Sequence, residues 1–384
     1  MPRYTMKLMG LKVYIYEDDE WQNFLPLTHL HPVFDLVCGM WSGIKRMEKL
    51  YDEVIPISRF HSNKCGKGLY INGRAIFYTK IPVDGKEEIF KNNNEIVAYR
   101  SKDGRLPQNA KTSEVKATLS KYPWGLIRAN KDIIERDFEF ANFLNKSNKS
   151  IIIDGNAKLC YVENSAKIYN GVYFNTENGP IYIGKHAQIR PLTVVYGPAY
   201  IGEMAIIDGA KVREGCHIGR GCRIGGEVEE SIFLAFSNKH HEGFVGHSYI
   251  GEWVNLGALT STSDLKNTYG NVRISLPSHS MDTGILKLGS IVGDHTKTGI
   301  GTLLTTGCII GIFCNLYGGG TFDKYIESFS WGTSQKLTLY KIDKAIETAK
   351  KVMQRRGITA TEEYIERIVT IFNKTRKSIP GQNI

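Results

Sequence analysis

The stretch that decides the fold is IYIGKHAQIRPLTVVYGPAYIGEMAIIDGAKVREGCHIGRGCRIGG, residues 181–226. Its long aliphatic residues recur every six positions at Ile183, Ile189, Val195, Ile201 and Ile207, then, after a five-residue unit, at Val212, Ile218 and Ile224. Gly or Asp commonly follows each one, and a small residue stands at the fifth place. Neither the 3.6-residue period of a helix nor the two-residue period of a strand can gather such a set on one face. A coil of three six-residue sides can, because each apolar residue then lies over its counterpart one turn below, at the spacing of paired strands. Glycine is expected at the corners, where a side chain would obstruct a positive φ or a close approach.

The same period continues at Ile250 and Leu256, and again at Val292, Thr298, Leu304, Ile310 and Leu316. Three separate runs in one chain predict a parallel solenoid over residues 150–332. Two lapses read as insertions, GEVEESIFLAFSNKHHEGF (226–244) and TSDLKNTYGNVRISLPSHSMDTGILK (262–287). Loops that leave a solenoid on one side often build its binding surface, so both are candidates for chemistry.

The ends follow other rules. Residues 1–145 read as a small α/β domain, with strands at KVYIYE (12–17), EVIPI (53–57), LYINGRAIFY (69–78) and near 95–100. Helices are expected over FDLVCGMWSGIKRMEKL (34–50) and from about Lys131, with a loop at SKDGRLPQNAKTSEV (101–115). Residues 333–384 carry two amphipathic helices. Ile342, Ile346, Ala349 and Met353 line the first, Gly357 stops it, and Thr359 with Glu362 suggests a capping box for a second bearing Ile365, Ile368, Val369 and Phe372. Such helices would cover an end or flank of the solenoid.

Composition narrows the function. At 384 residues, 42% hydrophobic and 23% charged, the chain can bury a full core and is not a disordered or collagen-like polymer despite its 39 glycines. No apolar run is long enough to span a membrane, and the N-terminal stretch turns acidic before a signal-peptide core could form. Seven scattered cysteines without C-x-x-C spacing speak against a disulfide framework or a thiolate zinc site, and a reducing cytoplasm is expected. The formal charge of +10 favours anionic partners. From Lys336 onward eleven basic residues face five acidic ones. They suit a solvated helical surface or the phosphates of coenzyme A or a nucleotide; no nucleic-acid reading motif and no membrane segment accompanies them.

Individual residues add chemistry, each with a plainer alternative beside it. His240 and His241 stand in SNKHHEGFVGHSYIGEWVNLGA (237–258), where the coil resumes, and imidazole suits removal of a proton from an attacking amine. A histidine pair in a loop is otherwise ordinary surface, and H-H-E lacks a metal-binding spacing. Asn255 precedes the inward Leu256 and should point outward, either toward a substrate oxygen or into a polar ladder. Arg190, Lys266 and Arg273 suit a phosphate or simple solvation. His295, Lys297 and Asn315 recur at similar, exposed-looking positions of the late coils, where a long acyl donor would lie. Trp331 reads as a packing anchor. The N-terminal domain has no glycine-rich nucleotide loop, Walker A motif or dinucleotide fingerprint, and Gly39, Gly43, Asn72, Gly73 and Arg74 are its nearest flexible polar candidates.

The segments PLTHLHPVFDLVCGM (26–40), YPWGLI (122–127), 240–274, MDTGILKLGSIVGDHTKTGIGTLLTTG (281–307) and IESFSWG (326–332) resemble the sugar-nucleotidyltransferase-like family. That family is related to the bifunctional N-acetylglucosamine-1-phosphate uridylyltransferase and glucosamine-1-phosphate acetyltransferase. The resemblance implies a left-handed hand for the β-helix, a homotrimer, and transfer of an acyl group from acetyl-CoA or another acyl-CoA to an amino sugar phosphate or nucleotide sugar. It places His241 on the catalytic base and Asn255 and Arg190 on substrate-binding positions. Phe244 stands where the family has a tyrosine, Glu229 near an expected lysine, and His31 at an expected arginine. Two alternatives stay open: Mg2+-dependent nucleotidyl transfer by the N-terminal domain, and a non-catalytic scaffold that binds sugar nucleotides.

Overall fold

The computed structural model describes residues 12–143, 152–276 and 279–376. They form two compact units, the first drawn from segments up to Lys121 and the second from Phe24–Leu30, Val37–Met40 and Tyr122 onward. The boundary near 145 read from the sequence lies outside the described residues, and the helix before it groups with the second unit.

In the first unit a six-stranded sheet runs in the order Val54–Ile57, Lys12–Tyr16, Gly68–Asn72, Glu95–Ser101, Glu88–Asn92, Lys111–Glu114. The strand at 111–114 occupies part of the expected loop. Alternation puts Val13, Ile15, Leu69, Ile71 and Val97 on one face, packed with Met47 of helix α1 (Gly43–Leu50). The other face stacks Tyr14, Tyr70 and Tyr99 at 4.5 and 5.0 Å between ring centres. Helix α1 is shorter than expected. Ser42 accepts from the Lys45 N–H at its start, and residues 33–38 are spent on a 3-10 turn and a short strand.

The second unit is the expected parallel β-helix. Its first face stacks strands from Ile152–Asp154 to Phe244–Gly246, its second runs from Cys160–Val162 to Tyr325–Ile326, and its third from Lys167–Ile168 to Asn238–Lys239, then through Asn255 to Lys297–Thr298, Asn315–Leu316 and Ser330–Thr333. The hexad residues of the sequence are the inward ladders: Ile183, Ile189, Val195, Ile201, Ile207, Val212, Ile218 and Ile224 are each 0% exposed. Small residues fill the corners. Cys222 and Cys314 share their column with Ala187, Ala205 and Ser237, so those thiols are packing atoms.

The glycines divide between the two reasons expected, close approach at some corners and positive φ at others such as Gly209 and Gly221. Gly184 and Gly202 follow inward isoleucines at ordinary φ, but a Cβ there would stand 2.8 and 3.0 Å from backbone of the next coil. Two residues later the φ is positive, at Gly221 but also at non-glycine residues, among them His186, Phe236, Trp253, His295, Phe313 and Phe329. Ring stacking along that corner accompanies the unusual backbone, with Phe236–Trp253 at 4.3 Å, His295–Phe313 at 4.5 Å and Phe313–Phe329 at 5.3 Å.

Of the two expected insertions, one is absent. Residues 226–244 continue all three ladders, with Glu227, Ile232, Asn238 and Phe244 in register with their neighbours. The six-residue pattern lapses there because the next inward residues, Val228 and Phe233, follow at shorter spacing and Lys239 takes the inward position after them. Residues 262–287 do leave the coil, as a hairpin pairing Arg273–Ser275 with Ser280–Asp282.

Helix α2 (Pro123–Ala141) begins at Pro123 rather than near Lys131, since proline fits the first helical turn. It lies over the second face of the solenoid. Asn130 donates to the Gly215 carbonyl at 2.8 Å and accepts from the Gly39 N–H at 2.7 Å, while Asp137 accepts from the Met40 N–H at 2.7 Å. Helices α3 (Ile342–Gln354) and α4 (Glu362–Arg376) pack on the solenoid flank against Ile312, Phe313 and Phe329. Thr361, not Thr359, accepts from the Tyr364 N–H at the start of α4.

Truncating an inward rung leaves a cavity that neighbouring coils cannot close. Ile207→Ala should therefore cost about 2–5 kcal/mol in denaturant unfolding. Ile300→Ala, at a 71% exposed position, should stay within about 0.5 kcal/mol.

Candidate functional site

The third face of the solenoid and the corner after it gather most of the residues singled out in the sequence. Register places Arg223, Asn238, Asn255, Lys297 and Asn315 in one outward column. Asn255 is exposed there, as its place before Leu256 predicted. Asn238 donates to its side-chain oxygen at 3.5 Å, and Arg356 donates to the Asn238 oxygen at 3.1 Å.

One residue beyond the inward ladder, successive coils carry Arg190, Asp208, Gly225 and His240. Arg190 pairs with Asp208 at 2.7 Å, and His240 Nε2 lies 3.6 Å from the same carboxylate oxygen. His240 reaches across Gly225, which contributes no side chain; a Cβ there would stand 2.1 Å from the His240 carbonyl. Burial lowers the His240 pKa, partly opposed by Asp208. The ring of His241 meets that of His240 edge-on at 5.2 Å, and His241 is exposed.

Lys239 fixes this corner from inside. It stands on the ladder of Ile207, Ile224 and Leu256 and is 1% exposed, with its ammonium donating to the carbonyls of Gly225 at 2.9 Å and His241 at 2.7 Å. Burial pulls its pKa down to about 8. Gly226 at φ +65 leaves room for it, since a Cβ would come 2.6 Å from the ammonium.

The remaining predicted residues are placed elsewhere or are covered. His295 was expected to be exposed, but it is 2% exposed, stacked within the aromatic corner and 2.8 Å from the Tyr364 hydroxyl. Lys297 is also more covered than expected. Its ammonium donates to the His295 carbonyl at 2.9 Å, and burial lowers its pKa to about 8. Lys266 donates to the Asn271 carbonyl and Arg273 faces Asp282 at 3.8 Å, both within the 262–287 insertion. Trp331 packs on Tyr340 at 4.6 Å, the anchoring role read for it.

In the first unit, Arg74 pairs with Asp18 at 2.7 Å and bonds the Ser120 carbonyl, while Lys121 pairs with Glu95 at 2.7 Å. Near the expected but missing arginine at His31, Arg59 donates to the His31 carbonyl and pairs with Glu17. No group of three His, Cys, Asp or Glu residues is arranged to hold a metal ion among the described residues. The acids beside Asn72 and Arg74 face cations, so this donor set does not fit Mg2+.

Sequence reading missed one cluster. Glu230, His247 and Asp264 occupy one corner position in three successive coils, and their spacing of seventeen residues was the available signal. His247 Nδ1 lies 2.7 Å from Asp264 and Nε2 3.4 Å from Glu230. Burial opposes charging the ring, but the two carboxylates prevail and raise its pKa to about 9. Glu230 is lowered by its bond to His247, and Asp264 is lowered by the same ring against the opposing effect of burial. An imidazolium held between two carboxylates is a coil-to-coil clamp and a poor proton acceptor near neutrality.

The family described as sugar nucleotidyl transferase matches residues 13–143. A bifunctional sugar-1-phosphate nucleotidylyltransferase/acetyltransferase of Sulfurisphaera tokodaii is 29% identical over 205 residues, 53% of this chain and 45% of that protein. The bifunctional protein GlmU of Methanocaldococcus jannaschii is 27% identical over 271 residues, 70% of this chain and 59% of that protein. The chain thus spans about half the length of these relatives. Among solved structures, the UDP-N-acetylglucosamine O-acyltransferase of Moraxella catarrhalis covers 59% of this chain and 93% of its own, with 15% identity and a TM-score of 0.22. The N-acyltransferase AntD of Bacillus cereus covers 53% and 92%, with 14% identity and a TM-score of 0.23. The chain therefore has a sugar-nucleotidyltransferase-like N-terminal domain and distant homology to bifunctional GlmU-like proteins.

The clamp gives a pH signature. A histidine raised from 6.5 to about 9 stabilises the fold fully below pH 6.5, and this is lost as pH rises through about 9. Lys239 and Lys297, lowered from 10.5 to about 8, act in the opposite sense above pH 8. Comparison with His247→Gln isolates the clamp. The variant should lose on the order of 3 kcal/mol at pH 6.5 in urea unfolding, with the difference from wild type shrinking toward pH 9.

Proposed function

We propose that the solenoid is an acyltransferase that moves an acyl group from coenzyme A to an amine or hydroxyl of a sugar phosphate or nucleotide sugar, with His241 as general base. The observation that carries the reading is the placement of His241: exposed, at a corner whose backbone is held by the buried Lys239, beside the Arg190–Asp208–His240 stack and one coil before Asn255. A rigid backbone under an accessible imidazole suits proton removal from an attacking nucleophile. Asn255 and Arg190 would hold the acceptor, while Lys297 and Asn315, further along the column of Asn255, would face the donor. When bound, an acyl-CoA supplies an activated thioester. The acetyl group of the curated relatives' names makes acetyl-CoA the first donor to try.

Lys266 and Arg273 enter this reading as acceptor contacts from the hairpin, and His295 as support for Lys297 through its carbonyl. The assembly proposed is a homotrimer, since flat coil faces pair around a threefold axis and the clefts between them would bury a long donor. Sedimentation should then give three times the 43.2 kDa chain mass; a monomer would remove the intersubunit groove.

A second reading concerns the first unit, favoured by the match over residues 13–143. It would bind a nucleotide sugar without transferring the nucleotidyl group. Pyrophosphate release from a nucleoside triphosphate and a sugar phosphate would overturn that restriction.

The main test is thiol release from acetyl-CoA and longer acyl-CoAs across a panel of amino sugar phosphates and nucleotide sugars. Turnover by wild type should fall roughly 100-fold or more in a folded His241→Ala protein. Undiminished turnover in that variant would sink the assignment of the base.

A further inference from the structure

Helix α3 ends in a way that delivers one particular side chain. The Gly357 N–H bonds the Gln354 carbonyl at 2.9 Å and the Ile358 N–H the Met353 carbonyl at 3.1 Å, with Gly357 at φ +71. This closing turn fixes the backbone at Arg356, whose guanidinium donates to Asn238 on the third face of the solenoid. In register with Asn238 one coil below stands Arg223, also pointing outward.

Two arginines are thus brought to one asparagine. Among the described residues neither has a carboxylate partner; Arg356 donates to Asn238 alone and the Arg223 guanidinium to nothing. Their mutual repulsion is felt, since Arg356 has its pKa lowered by burial first and by the charge of Arg223 next. At the corners on either side of this face the arrangement is different: Arg190 has Asp208 and Arg220 has Glu203. Placing two uncompensated guanidinium groups together, one of them half-buried, costs free energy that an anion bridging them would return.

We infer that Arg223 and Arg356, spaced by Asn238, form a binding site for a phosphate or pyrophosphate group. Two planar forks match the paired oxygens of such a group, and Asn238 fixes the angle of one fork while its amide bonds Asn255. The site does not depend on His241 acting as a base, because it is read by binding alone. Its phosphate has two possible sources, a coenzyme A-type donor or a nucleotide-sugar acceptor.

The test is calorimetric titration of the full-length protein with inorganic pyrophosphate, coenzyme A, 3′-dephospho-coenzyme A and UDP-N-acetylglucosamine, in low and high salt. At least one probe should bind saturably and more weakly in high salt. Both Arg223→Gln and Arg356→Gln should weaken that binding roughly tenfold or more, as expected for loss of a charge-assisted hydrogen bond. Arg356→Lys should recover part of it through charge without the fork. A preference for coenzyme A over its dephospho form assigns the site to the donor's 3′-phosphate, and a preference for the nucleotide sugar assigns it to the acceptor. Arg223 lies on the solvent side of the coil and Arg356 beyond the helix end, and each variant relieves the mutual repulsion, so neither should lower the melting temperature. No saturable binding of any probe, or binding unchanged by either substitution, overturns the site.

Discussion

The structure depends on the parallel stacking of inward side chains at strand spacing. Once Ile189, Ile207 and Ile224 lie directly over one another, each residue beside them is committed to a column of its own. A solenoid therefore converts position in the coil into position in space. Arg190, Asp208 and His240 meet because they share a coil position, although up to fifty residues separate them in sequence. The same rule brings Glu230, His247 and Asp264 into one clamp. Long-range geometry follows from local periodicity, which explains how so many sites can arise from short polar substitutions on an otherwise repetitive chain.

That rule also sets what could be read beforehand. The inward ladders were legible because aliphatic residues recur at a period that no helix or single strand can use. Asn255 was legible as an outward residue for the same reason. Lys239 defeated the reading: a lysine at an aliphatic position looks like the end of a repeat, and residues 226–244 looked like an insertion. Burial of a lysine is tolerated there because the carbonyls of Gly225 and His241 accept hydrogen bonds from its ammonium, a pairing that only the coiled backbone creates. His295 misled in the opposite direction. Its spacing was right, but the aromatic corner and Tyr364 cover it, and a cover supplied by a helix almost seventy residues away leaves no local trace.

The short N-terminal helix has a similar explanation. FDLVCGMWSGIKRMEKL reads from the sequence as one helix, yet only its second half is helical. Its first half includes Val37–Met40, whose backbone groups bond elsewhere in the second unit: Val37 with the Tyr249 hydroxyl at 2.8 and 3.0 Å, Gly39 with Asn130 and His217, and Met40 with Asp137. His217 stays neutral in this setting, its pKa held to about 4 by burial, so its Nδ1–H donates to the Gly39 carbonyl. Tertiary hydrogen bonds outweigh helix propensity over four residues, where propensity amounts to a few tenths of a kcal/mol each.

The unusual charges in and beside the solenoid divide by what surrounds them. His247 is fully compensated by carboxylates above and below, and its chemistry is spent on holding coils together. Lys239 is compensated by carbonyl dipoles, which shape the backbone under His241 but leave its ammonium inaccessible. Arg223 and Arg356 have no carboxylate partner among the described residues, and both stand beside Asn238. Structural charges in a close-packed coil are expected to arrive with partners, because an unpaired buried charge is expensive. A charge pair without such partners, held in place by a fixed helix end, is better explained by a ligand than by the fold, and its position next to Asn255 puts that ligand on the face that carries His241.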